Sequence, residues 1–181
     1  MTRSRTKDIV LVALTVALTT AGAYLRLPIG LVPISLQTLF VLLSGAILGP
    51  WVGAAAMASY IVLGLSGLPL FTGGGGPQYI LSPTFGFLLS FPLASMVVGL
   101  IIPPDGRYGT FRRLVALVSG TLVIYLVGVP WLGLNLHIVQ EKNLGAGTLM
   151  MMGMVPFLPG DLLKVVFATL LIEPVRRALP G

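Results

Sequence analysis

Apolar residues run through this chain in long stretches, and charges collect in the gaps between them. A membrane-spanning helix needs about 20 mostly apolar residues. Residues 9–25 lie between Asp8 and Arg26 without a charge, which predicts a first helix. From Leu27 to Pro104 there is no charged residue at all, enough chain for three crossings with turns. Proline and glycine punctuate that stretch. Pro28, Gly30 and Pro33 separate the first helix from a second over 35–48. Gly49-Pro50 predicts a tight turn into a third helix over 51–66. Gly67, Pro69 and the run Gly73-Gly74-Gly75-Gly76-Pro77 break it, and a fourth helix is expected over 84–102. A charged turn holds Asp105, Arg107, Arg112 and Arg113, and a fifth helix over 114–129 is ended by Pro130. A polar loop contains Asn135, His137, Gln140, Glu141, Lys142 and Asn143. The apolar piece 148–155 is too short to span alone. A sixth helix starts at Gly160-Asp161 and ends near Ala178. The pattern therefore predicts an all-α membrane protein with six transmembrane helices, in a single domain over residues 1–181.

Charge placement orients the bundle. Six crossings put both termini on one side, with Arg3, Arg5, Lys7, Arg107, Arg112, Arg113, Arg176 and Arg177. Only Arg26 and Lys142 fall on the other. Basic residues favour the cytoplasmic side, so a multi-pass protein of the cell membrane with both termini in the cytoplasm is expected. Composition agrees. With 9% charged residues and a mean hydropathy of +1.00, a soluble globular enzyme is excluded, since such domains carry roughly a quarter charged residues. The absence of cysteine and the single histidine, His137, exclude thiolate metal sites and histidine clusters. The net charge of +6 does not predict nucleic-acid binding, because the charges sit at the ends of apolar stretches rather than along one face.

Asp161 and Lys164 are the strongest candidates for chemistry. They are three apart at the start of the last helix and share a face. Ionisable groups within a membrane are costly and generally mark a site. The competing reading is structural: a carboxylate caps a helix N-terminus and a lysine snorkels to water. A carboxylate accepts and an ammonium donates hydrogen bonds, which together suit a neutral urea or amide; the lysine alone could instead meet a ligand carboxylate. No second acid or base lies at helix depth, so the pair reads as binding rather than catalysis, with no catalytic and no metal residues expected.

Other signals converge on the same side. The loop 67–84 is uncharged and rich in glycine, and it lacks the Gly-Lys-Ser/Thr of a nucleotide loop. Its Phe71 and Tyr79 suit the wall of a small-molecule pocket, and Gly75 permits close backbone approach, so the loop is expected to fold back as a lid rather than hang as a connector. Gln37 could bind a ligand or another helix, while Ser35 reads as a helix N-cap. Trp131 reads as an interfacial residue or a pocket wall. Ala13, Ala17 and Ala21 form a small-residue stripe on the first helix. Such a stripe admits a second helix closely, either a partner's or one of the same bundle.

Four motifs in order carry a resemblance: Val-Pro-Ile-Ser-Leu-Gln-Thr (32–38), Gly-Leu-Pro-Leu-Phe (67–71) with its glycine run, Ser-Pro-Thr-Phe-Gly-Phe-Leu (82–88) and Pro-Phe-Leu-Pro-Gly-Asp-Leu-Leu-Lys (156–164). They resemble the BioY family, biotin-binding S-components of energy-coupling-factor vitamin transporters. The chain departs from the family pattern at Ser35, Ser82, Phe85 and Phe87. The resemblance implies a six-helix S-component-like bundle that captures biotin from outside. Biotin is its substrate, and no cofactor is implied. Asp161 and Lys164 match the family's polar pocket pair, with Gln37, Phe71, Gly75, Tyr79, Thr84 and Trp131 as further ligand-binding candidates. Ala13, Ala17 and Ala21 match the face used to dock on the energy-coupling module, a transmembrane coupling protein with two cytoplasmic ATPases. Some members are reported to work without that module as homo-oligomers, so a solitary biotin carrier is one alternative. Others are an S-component for a different vitamin and, from another class, a membrane-embedded lipid-modifying enzyme.

Overall fold

Proline and glycine set most helix ends, but helices run on through Pro130 and Pro174. A computed structural model describes residues 5–27, 32–142 and 144–179. The sequence-predicted break residues Pro28 and Gly30, the terminal Arg3 and the loop residue Asn143 lie outside the described residues. The elements are α1 (Arg5–Tyr24), a hairpin of β1 (Arg26–Leu27) and β2 (Ile34–Ser35), α2 (Gln37–Leu48) and α3 (Pro50–Leu65). After them come α4 (Phe85–Leu89), α5 (Phe91–Ile101), α6 (Thr110–Gln140), α7 (Ala146–Gly153) and α8 (Leu158–Ala178). Single 3-10 turns occupy Pro77–Leu81 and Val155–Phe157. Six crossings result: α1, α2, α3, α4 with α5, α6, and α8.

Three stretches, Arg5–Tyr24, Thr110–Val139 and Ala146–Ala178, the last joining α7 to α8, are long and apolar enough to cross a bilayer. The other three are shorter apolar helices. α2 is the shortest unbroken crossing at 12 residues, about 18 Å at 1.5 Å per residue. It lies at the centre, packed by α1, α3, α5 and α8. Protein rather than lipid covers its ends, which is where a short span is tolerated. Small residues bring its neighbours close. The Ser44 and Ser95 hydroxyls are 2.7 Å apart between α2 and α5, and a Cβ on Gly45 would overlap the Ser95 carbonyl. This is the packing by small and hydroxyl side chains expected between membrane helices. At Gly49, φ is +89°, a conformation that favours glycine, and the expected tight turn into Pro50 is present.

Two expectations are corrected. The fourth helix, expected unbroken over 84–102, divides into α4 and α5 at Ser90. Pro92 has no N–H to offer the Leu88 carbonyl, and its ring crowds that position. The fifth helix does not stop at Pro130 but continues to Gln140. A membrane helix tolerates an internal proline where neighbouring packing re-satisfies the freed group. Asn135 and His137 are therefore helical rather than in a loop. The sixth helix starts at Leu158, with Pro159 in the first turn, where a missing N–H costs nothing.

The two ends of the bundle differ. At one end Arg176 donates to the carbonyls of Ile102 (2.6 Å), Gly106 (3.0 Å) and Ala46 (3.0 Å), tying α8 to the last turns of α2 and α5. At the other end the β-hairpin, the loop 67–84 and the start of α8 come together. Tyr24 there donates to the Pro69 carbonyl at 2.5 Å, and Asn135 to the Leu81 carbonyl at 2.8 Å.

Candidate ligand-binding site

The first two turns of α8 place Asp161 and Lys164 side by side, facing the N-terminal end of α2. The Lys164 ammonium is 2.9 Å from Asp161 Oδ1 and donates to Thr38 Oγ1 at 3.0 Å. The Tyr125 hydroxyl donates to the other carboxylate oxygen, Asp161 Oδ2. Asp161 and Lys164 are only 9% and 8% exposed. Pairing makes that burial tolerable, because each charge has an opposite partner and further hydrogen bonds. The structural alternatives raised by the sequence, a lone N-terminal cap and a snorkelling lysine, do not describe this geometry.

Beside the pair lies a partly enclosed cavity, and its mixture of apolar walls with a few convergent polar groups is that of small-molecule sites. Its floor and walls mix apolar side chains such as Phe87, Phe91, Ile124 and Phe157 with polar ones including Gln37, Thr38, Thr121 and Tyr125. Gln37 is buried and donates from Nε2 to the Tyr60 hydroxyl at 2.6 Å, which in turn donates to the Leu70 carbonyl at 2.7 Å. That chain of bonds fixes the loop 67–84 to α2 and α3.

The loop folds back over the bundle, as expected of a lid. Phe71 and Gly74 exchange backbone hydrogen bonds of 2.8 and 3.0 Å, and the Gly76 amide donates to the Gly64 carbonyl at 2.7 Å. The Tyr79 hydroxyl lies 3.2 Å from Thr84 Oγ1, and the Ser82 hydroxyl 2.9 Å from the same atom. A second, more open cavity sits above, at the rim, lined by Arg26, Gly75, Gln78 and Ser82 among others. Pro33, Thr72, Tyr79 and Thr84 line both cavities, so the two adjoin across the linked hydroxyls of Tyr79 and Thr84.

Of the sequence-selected residues, Asp161, Lys164, Gln37, Tyr79 and Thr84 line the deep cavity. Phe71, Gly75 and Trp131 do not. Phe71 is fully buried behind Tyr79, with ring centroids 4.7 Å apart, and stands edge-on to Tyr60. Gly75 lines the rim cavity, and a Cβ there would overlap the Leu68 carbonyl. Trp131 donates from its indole to the Ser82 carbonyl at 3.1 Å and packs edge-on against Phe85. Phe71 and Trp131 thus support the wall from behind. Phe87, one of the departures from the family pattern, faces the cavity.

Sequence reasoning missed Tyr125, Thr121, Phe91 and Phe157. Tyr125 carried a usable signal, a hydroxyl in the middle of an otherwise apolar helix. Ala13, Ala17 and Ala21 are exposed, whereas the bundle-facing side of α1 carries Val16, Thr19, Gly22 and Ala23. The alanine stripe is therefore not used for packing among the described residues.

Known proteins share this sequence pattern and this architecture. The family model described as BioY family matches residues 1–181. A probable biotin transporter BioY of Pyrococcus horikoshii is 39% identical over 95% of this chain and 98% of its own length. Another, of Lysinibacillus sphaericus, is 36% identical over 95% of this chain and 88% of its own. A crystal structure of the S-component for biotin from an ECF-type ABC transporter superposes with a TM-score of 0.84. It covers 99% of this chain and 97% of its own, at 24% identity, and the likeness is one of fold.

Proposed function

We propose that this chain, which belongs to the BioY family, binds biotin as its transport substrate and serves as the substrate-binding membrane subunit for biotin uptake. It acts as a transporter component rather than an enzyme, and biotin is cargo rather than cofactor. The observation that carries the reading is the buried Asp161–Lys164 pair, braced by Tyr125 and Thr38, opening on a cavity at the loop-rich end of the bundle.

The chemistry suits the ureido ring. That ring presents two N–H donors and one carbonyl. A carboxylate has about four lone-pair sites, so Asp161 can accept from a ligand while keeping Lys164 and Tyr125. Lys164 has three donors and can give one to the ligand carbonyl. The apolar floor accommodates the thioether ring.

The basic residues at the Arg176 end favour a cytoplasmic position for that end and for both termini. The cavity then opens outward, and capture precedes inward delivery. Exposed Ala13, Ala17 and Ala21 offer the surface for an energy-coupling module of one transmembrane protein and two ATPases.

Calorimetric titration of biotin into detergent-purified protein tests the reading. Micromolar or tighter binding, lost in Asp161→Asn and in Lys164→Ala, is expected; undiminished affinity in both variants refutes the site. Ala13→Trp and Ala17→Trp should leave biotin binding intact and impair uptake in cells that carry the module. Uptake unchanged by both removes the docking role, and lost binding would show that this face packs internally.

A further inference from the structure

Tyr60 on α3 is fully buried and lines neither described cavity, yet its hydroxyl is tied to a residue that lines the deep one. Its ring stands edge-on to Phe71 at 5.4 Å and stacks on Phe91 at 6.5 Å, so packing sets where the hydroxyl lies. That hydroxyl has one proton and two described neighbours, the Leu70 carbonyl at 2.7 Å and the side-chain amide of Gln37 at 2.6 Å. A phenol donates once and accepts through the same oxygen. The Leu70 carbonyl can only accept, so the proton goes there. Toward Gln37 the Tyr60 oxygen is then an acceptor, and only the NH2 end of the amide can meet it. The reverse orientation would set two acceptors on one proton and strand one of them in a buried place, which is costly. The two ends of a glutamine amide have nearly the same shape, and only its hydrogen bonds decide which way it faces. Here that choice is made from outside the cavity.

We infer that Tyr60 is a positioning residue for the binding site: it holds Gln37 with its carbonyl oxygen, Oε1, offered to the cavity as the acceptor for a ligand N–H. The inference rests on the reading of the deep cavity as the site of the ureido ring. The two N–H groups of that ring flank its carbonyl and point apart. The Lys164 ammonium stands between the Asp161 carboxylate on α8 and Thr38 in the first turn of α2. A ligand carbonyl on Lys164 therefore has Asp161 on one side, to accept one N–H, and the first turn of α2 on the other. Gln37 opens that turn and takes the second N–H. An amide oxygen does so without adding a second negative charge beside Asp161, which a water-poor site disfavours.

The test is a double-mutant cycle, read by calorimetric titration of biotin into detergent-purified wild type, Tyr60→Phe, Gln37→Met and the double variant. Tyr60→Phe keeps the ring and frees the amide to turn, and should weaken biotin by about three- to tenfold, the worth of one hydrogen bond. Gln37→Met keeps the length of the side chain without its amide. It should weaken biotin by about tenfold or more, because a ligand N–H is then buried unpaired. In the Gln37→Met background, Tyr60→Phe should change the affinity by less than about twofold. A hydroxyl that acts only by holding the Leu70 carbonyl would cost the same factor in both backgrounds, and that result overturns the inference. So does an affinity that Tyr60→Phe leaves unaltered in the wild-type background. Unchanged affinity in Gln37→Met overturns it without a folded Tyr60 variant and leaves the Asp161–Lys164 site standing. A wild-type protein that does not bind biotin overturns both readings. Ligand-free unfolding midpoints establish that each titrated variant is folded.

Discussion

Lys164→Met breaks the buried pair at its positive end. The Asp161 carboxylate then keeps Tyr125 as its described partner and loses its counter-charge. Side-chain exposures of 9% for Lys164 and 12% for Asp161 leave little solvent to compensate. Removing one partner of a buried pair costs about 3–5 kcal/mol; the adjoining cavity admits some water, which favours the lower figure. At about 2–4 °C per kcal/mol for a chain of this size, the ligand-free unfolding midpoint should fall by roughly 6–12 °C. Adding Asp161→Asn removes the stranded charge and should restore most of that loss, since replacing both members of a buried pair is often near neutral. The coupling between the two changes, read as a double-mutant cycle, should therefore be favourable and amount to about 2–3 kcal/mol. Biotin binding should be lost in both the single and the double variant. The assay is thermal unfolding in detergent without ligand, with calorimetry in parallel. A Lys164→Met midpoint within about 2 °C of wild type, or a double variant less stable than the single, would refute the buried-pair geometry.

Tyr125→Phe removes one donor to Asp161 while preserving shape, and should weaken biotin by about tenfold, the worth of one hydrogen bond to a charged group; unaltered affinity would mean that Tyr125 does not shape the site. Gly45→Leu forces a side chain into the Ser95 carbonyl and should cost about 1–3 kcal/mol of stability or more, seen as a lowered unfolding midpoint; an unchanged midpoint would show that α2 and α5 do not cross there.

The periodic and compositional signals were strong enough to place six apolar spans, because a bilayer imposes a length that soluble folds do not. The same signals misread Pro130 and Pro92 in opposite directions. Each proline removes one N–H, but its effect on the helix depends on neighbours that a local pattern does not contain: α6 runs on through Pro130, whereas the fourth span parts at Ser90. The lining of the candidate cavity was legible where it departs from apolar background, in Asp161, Lys164 and Gln37. It was not legible in depth. Phe71 and Tyr79 are both aromatic, uncharged and in one loop, yet Tyr79 faces the cavity and Phe71 stands behind it. Only the fold of the loop, through the pairing of Phe71 with Gly74, separates front from back.

The length of α2 explains why a cavity exists at all. A helix of 12 residues reaches about 18 Å of a hydrocarbon layer of about 30 Å. The shortfall has to be filled by protein whose polar groups are satisfied, because lipid cannot satisfy them. Arg176 meets that demand at one end, where it binds the Ala46 carbonyl in the last turn of α2 and the Ile102 carbonyl beyond α5. Nothing comparable plugs the opposite end among the described residues. There the first turn presents Gln37 and Thr38 upward, Lys164 reaches across to Thr38, and the hairpin and the loop 67–84 close around the space rather than through it. The same short helix thus needs a clamp below and leaves a pocket above. Its first-turn polar residues fall at the pocket wall because the helix begins within the depth of the membrane. A longer α2 would carry those residues to the surface and fill the cavity with its own backbone.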